Sequence, residues 1–208
     1  MSNQYYTLYM EHCIEVERMM EQYHGTYEDA KKLKGAVASE LLKQEISKYL
    51  IENNKPFKTS AVNSFIAGSK FEYDLLIVKE HSKPYMELIY RPEDVVAIIE
   101  SKVNGIFHPD KDTDSIARAA NRAMEINSNI GFGYITISEN VPVNDYNRKG
   151  ESTVKHWDST IEQLNTKISG NKVIYAVTLH QRQGKKLYDE GSDTEFPDFI
   201  ENLIGNPS

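Results

Sequence analysis

Three residues in two neighbouring stretches have the types and spacing for metal-assisted hydrolysis. Asp74 lies in Phe71-Glu72-Tyr73-Asp74-Leu75-Leu76-Ile77-Val78, and Glu100-Ser101-Lys102 ends the run Val95-Val96-Ala97-Ile98-Ile99. Both runs are aliphatic, β-branched and flanked by turn-forming residues, so both read as strands. Side chains alternate across a strand with period two, which puts Glu100 and Lys102 on one face, a pleat apart. If the strands pair, Asp74 converges on them. Two carboxylates and one ammonium then surround a point, which is what a divalent cation and an attacking water need. A plain salt bridge between Glu100 and Lys102 competes with that reading, and Asp74 tips the balance against it. Val96 to Ile99 carry no charge, so the strand runs buried until it delivers the pair at its end. An ionised aspartate in so apolar a strand costs several kcal/mol unless a cation or donors compensate it.

The line Asp74, then Glu100-x-Lys102 26 residues on, with Glu40 on a helix upstream, resembles the PD-(D/E)xK nuclease superfamily. Tyr73 stands where that family often has a proline. The resemblance extends over about residues 30–180 and implies a restriction-endonuclease-like α/β fold, a mixed central β-sheet flanked by α-helices. It implies that Asp74, Glu100 and the main-chain carbonyl of Ser101 hold Mg²⁺, with Mn²⁺ as substitute. Lys102 would position the water and help deprotonate it, and Glu40 would serve a second metal or a metal-bound water. The family hydrolyses phosphodiesters to 3′-hydroxyl and 5′-phosphate ends, and DNA is the expected substrate ahead of RNA. Glu40 reads equally well as an ordinary exposed helix glutamate. Lys43, Lys58, Lys70, Arg118 and Arg122 are weaker candidates for phosphate contact. Cutting both strands of a duplex takes two sites, so a restriction-type role implies a homodimer.

Composition bounds these expectations. At 208 residues the chain is long enough for one domain with a good core. The single cysteine, Cys13, excludes internal disulfides and a cysteine-based zinc site. No long apolar run or leader-like start appears, so a cytoplasmic protein without a membrane partner is expected. The net charge of −7 opposes an extended nonspecific DNA surface. Its distribution softens that objection: residues 1–30 sum to −5 and residues 31–70 to +5, so a basic stretch leads to the proposed site. A solvated helix face explains that stretch as well.

Along the chain, Tyr6, Tyr9, Met10, Cys13, Met20 and Tyr23 recur at helical spacing, and His24-Gly25-Thr26 ends that helix. Residues 1–27 are therefore expected as an extra N-terminal helix, a core or dimer contact, and 28–208 as the nuclease-like domain. A second helix is expected from Glu28 to Asn53, then a short strand near 61–67. Glu72 is expected on the Asp74 face, either as a supporting acid or simply nearer the exposed end of the strand. After the motif, a helix capped by Asp112 or Thr113 carries Ile116, Ala119, Ala120, Ala123 and Ile126 inward. The aspartates at 110, 112 and 114 do not make an EF-hand, because Ser115 replaces its glycine. Further expectations are a strand at 134–138, a polar loop at 139–150, a helix at 152–168, a strand at 172–179, a polar tail and a closing helix through Phe196–Ile204. Walker, Rossmann and Gly-x-Ser-x-Gly patterns are missing from the sequence. The expected function is a Mg²⁺-dependent endonuclease of restriction, defence or phage type. The alternative is a catalytically silent nuclease-fold module that binds nucleic acid or a protein partner.

Overall fold

A computed structural model of the chain describes residues 2–104, 109–138, 162–169, 174–178, 181–183, 186–188 and 195–205. Two long helices open it, α1 (Ser2–Gln22) and α2 (Tyr27–Glu52). The start of α2 is set by a reciprocal cap. Thr26 Oγ1 accepts from the Asp29 backbone N–H at 3.2 Å, and the Asp29 carboxylate accepts from the Thr26 N–H at 3.0 Å. Asn53 and left-handed Asn54 close the helix.

Next come β1 (Phe57–Thr59), β2 (Ser64–Ile66), β3 (Glu72–Tyr73), β4 (Leu75–Lys79), β5 (Ile89–Tyr90) and β6 (Val95–Asn104). After them follow α3 (Pro109–Ile126), β7 (Gly131–Ser138), β8 (Ile174–Thr178), β9 (Gln181–Gln183), β10 (Lys186–Tyr188) and α4 (Glu195–Ile204). The main sheet has the order β1-β4-β6-β7-β8. Its first two junctions are antiparallel and its last two parallel. A small second sheet has the order β3-β2-β5, and β9 and β10 form a hairpin.

The alternation expected of β4 and β6 divides the core into two layers. Leu75, Ile77, Ala97 and Ile99 face Leu42, Ile46 and Leu50 of α2 and Phe199, Ile200 and Leu203 of α4. Leu76, Val78, Val95 and Ile98 face Ile116, Ala117, Ala120 and Ala123 of α3, with Leu164 and Ile168. Each fully buried aliphatic side chain contributes about 1.5–3 kcal/mol of transfer free energy, so these layers dominate the fold's stability. The mixed sheet between helices is the expected architecture.

Several elements differ from expectation. The edge strand β1 and the β9–β10 hairpin lie where the sequence reads as breaker and polar tail. On α1, Tyr9, Cys13 and Val16 are buried, whereas Met10 is exposed, as is Tyr23 just past the helix end. Tyr9 and Cys13 join the same core layer as α2. Among the described residues no helix is long and apolar enough to cross a membrane. The expected loop at 139–150 lies outside the described residues, as does the 152–168 helix before residue 162.

Candidate active site

The site forms where β4 and β6 part. Their pairing ends at Leu75↔Ile99, while β6 continues beside β7 as far as Asn104↔Ser138. Asp74 sits at that fork, in the break between β3 and β4. Its backbone carbonyl accepts from the Asn63 N–H at 3.0 Å. Two residues on, the Leu76 N–H donates to Ser60 Oγ at 3.0 Å. The chain around Asp74 is therefore held from the segment that joins β1 to β2.

Past the fork, the Ser101 N–H turns to the Asp74 carboxylate and donates to Oδ2 at 2.7 Å. Ser101 Oγ donates to the same oxygen at 3.2 Å. Lys102 Nζ lies 2.5 Å from Glu100 Oε1 and 3.8 Å from Asp74 Oδ2. The three side chains converge as strand alternation requires, with the ammonium between two carboxylates. Burial, and then the like charge of Asp74, pushes the Glu100 carboxyl above the usual carboxylate range, while Lys102 pulls it back.

That donor set fits a hard divalent cation. Mg²⁺ is commonly held by one or two carboxylates and keeps several waters, so Asp74 and Glu100 suffice as anionic ligands. Among the described residues no cluster of three His, Cys, Asp or Glu side chains exists, which excludes a dedicated multi-ligand cage there.

A cavity of about 370 Å³ adjoins the triad. Asp74, Ser101 and Lys102 form one wall, Lys32, Gly35, Ala36 and Ser39 of α2 another, and Val62 and Asn63 contribute from before β2. Ser39 Oγ lies 3.2 Å from Ser101 Oγ. A chain of contacts therefore runs from α2 through two hydroxyls to the Asp74 carboxylate.

The remaining expected residues lie elsewhere. Glu40 pairs with Lys43 at 3.0 Å on its own helix. Ser39, one residue earlier and about 100° round the helix, is the group that α2 brings to the triad. Of the two positions open to Glu72 the structure shows the exposed one: β3 belongs to the small sheet, Glu72 pairs with Phe65, and its side chain is exposed. The break at Asp74 moves the chain between sheets, so the period-two argument does not carry across it. Lys58 donates to the Ser82 carbonyl and Lys70 sits over the Phe71 ring. Arg118 donates to the Asp114 carbonyl, and Arg122 to the Gly68 carbonyl and Glu125. Ser39, Gly35 and Asn63 were not expected. The spacing of Lys32, Gly35, Ala36 and Ser39 at three and four residues is the one signal that puts most of them on a common face.

No protein-family model matches the chain, and no curated protein matches it significantly. Solved structures do. NucC of E. coli MS115-1 in its cAAA-bound form superposes with a TM-score of 0.57 at 10% identity, covering 100% of this chain and 91% of that one. The cAAA-bound NucC of P. aeruginosa ATCC27853 gives 0.60 at 11% identity, covering 100% and 92%. The apo form of E. coli NucC gives 0.53 at 12% identity, covering 96% and 89%. At such identities the likeness is one of fold: this chain has the restriction-endonuclease-like fold of NucC.

Proposed function

We propose that the chain is a Mg²⁺-dependent nuclease that hydrolyses phosphodiester bonds, with DNA as substrate and phage defence as setting. The observation that carries this reading is the convergence of Asp74, Glu100 and Lys102 at the fork between β4 and β6. The fold of NucC, a PD-(D/E)xK-type nuclease of anti-phage defence, supports it.

In this reading Asp74, Glu100 and the Ser101 carbonyl hold the metal. When bound, Mg²⁺ supplies Lewis-acid stabilisation of the phosphate charge and a water more readily deprotonated. The rest falls to the protein. The Ser101 N–H and Oγ fix one Asp74 oxygen, and the carboxylate so oriented would be a ligand of the cation. Lys102 gives up its contact with Glu100, orients the attacking water and meets the negative charge that grows on phosphorus. Attack in line with the leaving oxygen leaves a 5′-phosphate and a 3′-hydroxyl. Glu40 has a part only if its pair with Lys43 opens. Cutting a duplex takes two copies, and this reading gives the pairing surface to Met10, Ile14 and Met19, which α1 leaves exposed.

The test is the chemistry of the product ends. DNA incubated with the protein and Mg²⁺ should yield fragments that a ligase reseals directly, as 5′-phosphate and 3′-hydroxyl ends allow. Fragments that need phosphatase or kinase treatment before resealing would contradict hydrolysis at this triad.

A further inference from the structure

A glycine in the middle of a long helix usually marks a close approach, because it destabilises the helix relative to alanine. Gly35 lies well inside α2 and marks none: a Cβ built there meets nothing within 4 Å. Gly131 and Gly133 behave differently, since a Cβ at either would come within 2.7 Å of α4 atoms. What Gly35 borders is the cavity beside the triad.

The cavity has the size and lining of a seat rather than a packing defect. Its volume of about 370 Å³ lies at the small end of ligand sites, which run from roughly 300 to 1,000 Å³. Ala36 and Val62 give it apolar surface, backed by buried Leu42 and Ile135, and Asn63, Ser39 and exposed Lys32 give it polar groups. Asp74 and Lys102 stand in its wall, so whatever fills it lies against two of the three converging side chains.

The geometry points to this cavity as the seat of the nucleotide next to the scissile phosphate, with Gly35 setting the space allowed to it. The inference rests on the nuclease reading and deepens it. Lys32 meets that nucleotide's phosphate, the Asn63 amide its polar edge, and the apolar surface its sugar and base. A Cβ at Gly35 stands in open space at the edge of the seat, so a larger side chain there takes room from the nucleotide before it meets protein backbone. It therefore weakens substrate binding and leaves the triad and the fold intact.

The experiment is steady-state cleavage of a DNA substrate with Mg²⁺ by wild type, Gly35→Ala, Gly35→Val, Gly35→Leu and Lys32→Ala, with melting temperatures alongside. The expected result is a KM that rises with side-chain volume, at least tenfold for leucine. The kcat should stay within about twofold, and no Gly35 variant should melt below wild type. Lys32→Ala should raise KM and lower the salt dependence of binding by about one phosphate contact. Gln44→Leu, on an exposed part of α2 away from the cavity, should leave KM unchanged. Wild-type KM in Gly35→Leu, with wild-type cleavage present, overturns the seat and leaves the nuclease reading standing. A wild type that cuts no DNA overturns the nuclease reading and takes the seat with it.

Discussion

Asp74 has two tasks, and substitution separates them. One is structural: its Oδ2 accepts from the Ser101 N–H at 2.7 Å and from Ser101 Oγ at 3.2 Å, closing the fork where β4 leaves β6. Asp74→Ala leaves a partly buried backbone donor unpaired, at a cost of about 1–3 kcal/mol. For a chain of this size each kcal/mol moves the melting temperature by about 2–4 °C, so the loss is about 2–12 °C. Asp74→Asn weakens the bonds from Ser101, because a neutral amide oxygen accepts less strongly than a carboxylate, and removes the negative charge that disfavours ionised Glu100. These effects oppose each other, and in metal-free buffer the variant should melt within about 4 °C of wild type, the equivalent of about 1 kcal/mol. The second task is holding the cation. Mg²⁺ at about 100 times its Kd stabilises wild type by about 2.7 kcal/mol, which raises melting by about 5–11 °C. Neither variant should gain this. The assay is thermal unfolding of the three proteins in chelator and in Mg²⁺. A full Mg²⁺ shift in Asp74→Asn would refute the assignment of Asp74 to the metal, and unchanged melting of Asp74→Ala in chelator would refute its role at the fork.

Two further predictions concern the frame. Gly133→Ala places a methyl 2.7 Å from Phe199 Cζ and 2.8 Å from Leu203 Cδ1, so these two buried side chains of α4 must give way. Overpacking of this kind costs about 1–3 kcal/mol, read by urea unfolding as a lower midpoint at unchanged slope. Tyr49 donates to Glu201 Oε1 at 2.6 Å and Lys55 pairs with the same carboxylate at 2.7 Å, which ties α2 to α4. Burial, and then Glu201, pushes the Tyr49 hydroxyl up to about 12 from 10. The folded state holds that proton longer than the unfolded chain, so the contribution is complete below pH 10 and is lost as pH rises from about 10 to about 12. Wild type should lose its stability advantage over Tyr49→Phe across that window in equilibrium unfolding. A constant difference between the two would remove Tyr49 ionisation from the account.

The triad was legible because its signal is local. An uncharged apolar run ends in acid–x–lysine, and period two fixes which side chains share a face. The apolar pattern of β4 and β6 likewise implied a central sheet covered on both sides, as found. What stayed open did so where local rules stop. One residue on a helix turns the side chain by about 100°, so a motif that places an acid on α2 does not distinguish Glu40 from Ser39. The two positions open to Glu72 could not be separated because the Asp74 break moves the chain between sheets, and nothing in the alternation announces that transfer. Strand β1 is three residues long and lies at the sheet edge, and β9 (Gln-Arg-Gln) and β10 (Lys-Leu-Tyr) are as short, too short for any of them to carry a readable alternation. Gly131 and Gly133 read as a strand opening, yet their main role is to let α4 approach β7, a long-range contact.

The most direct measurement is cleavage of a mixed panel of single- and double-stranded DNA and RNA with Mg²⁺ or Mn²⁺, comparing wild type with Glu100→Ala and Lys102→Ala. The account predicts metal-dependent cutting by wild type, strongest on DNA, reduced at least a hundredfold in both variants while melting temperatures remain close to wild type. Metal-dependent cutting that survives in either variant, or none by wild type on any substrate, would contradict it.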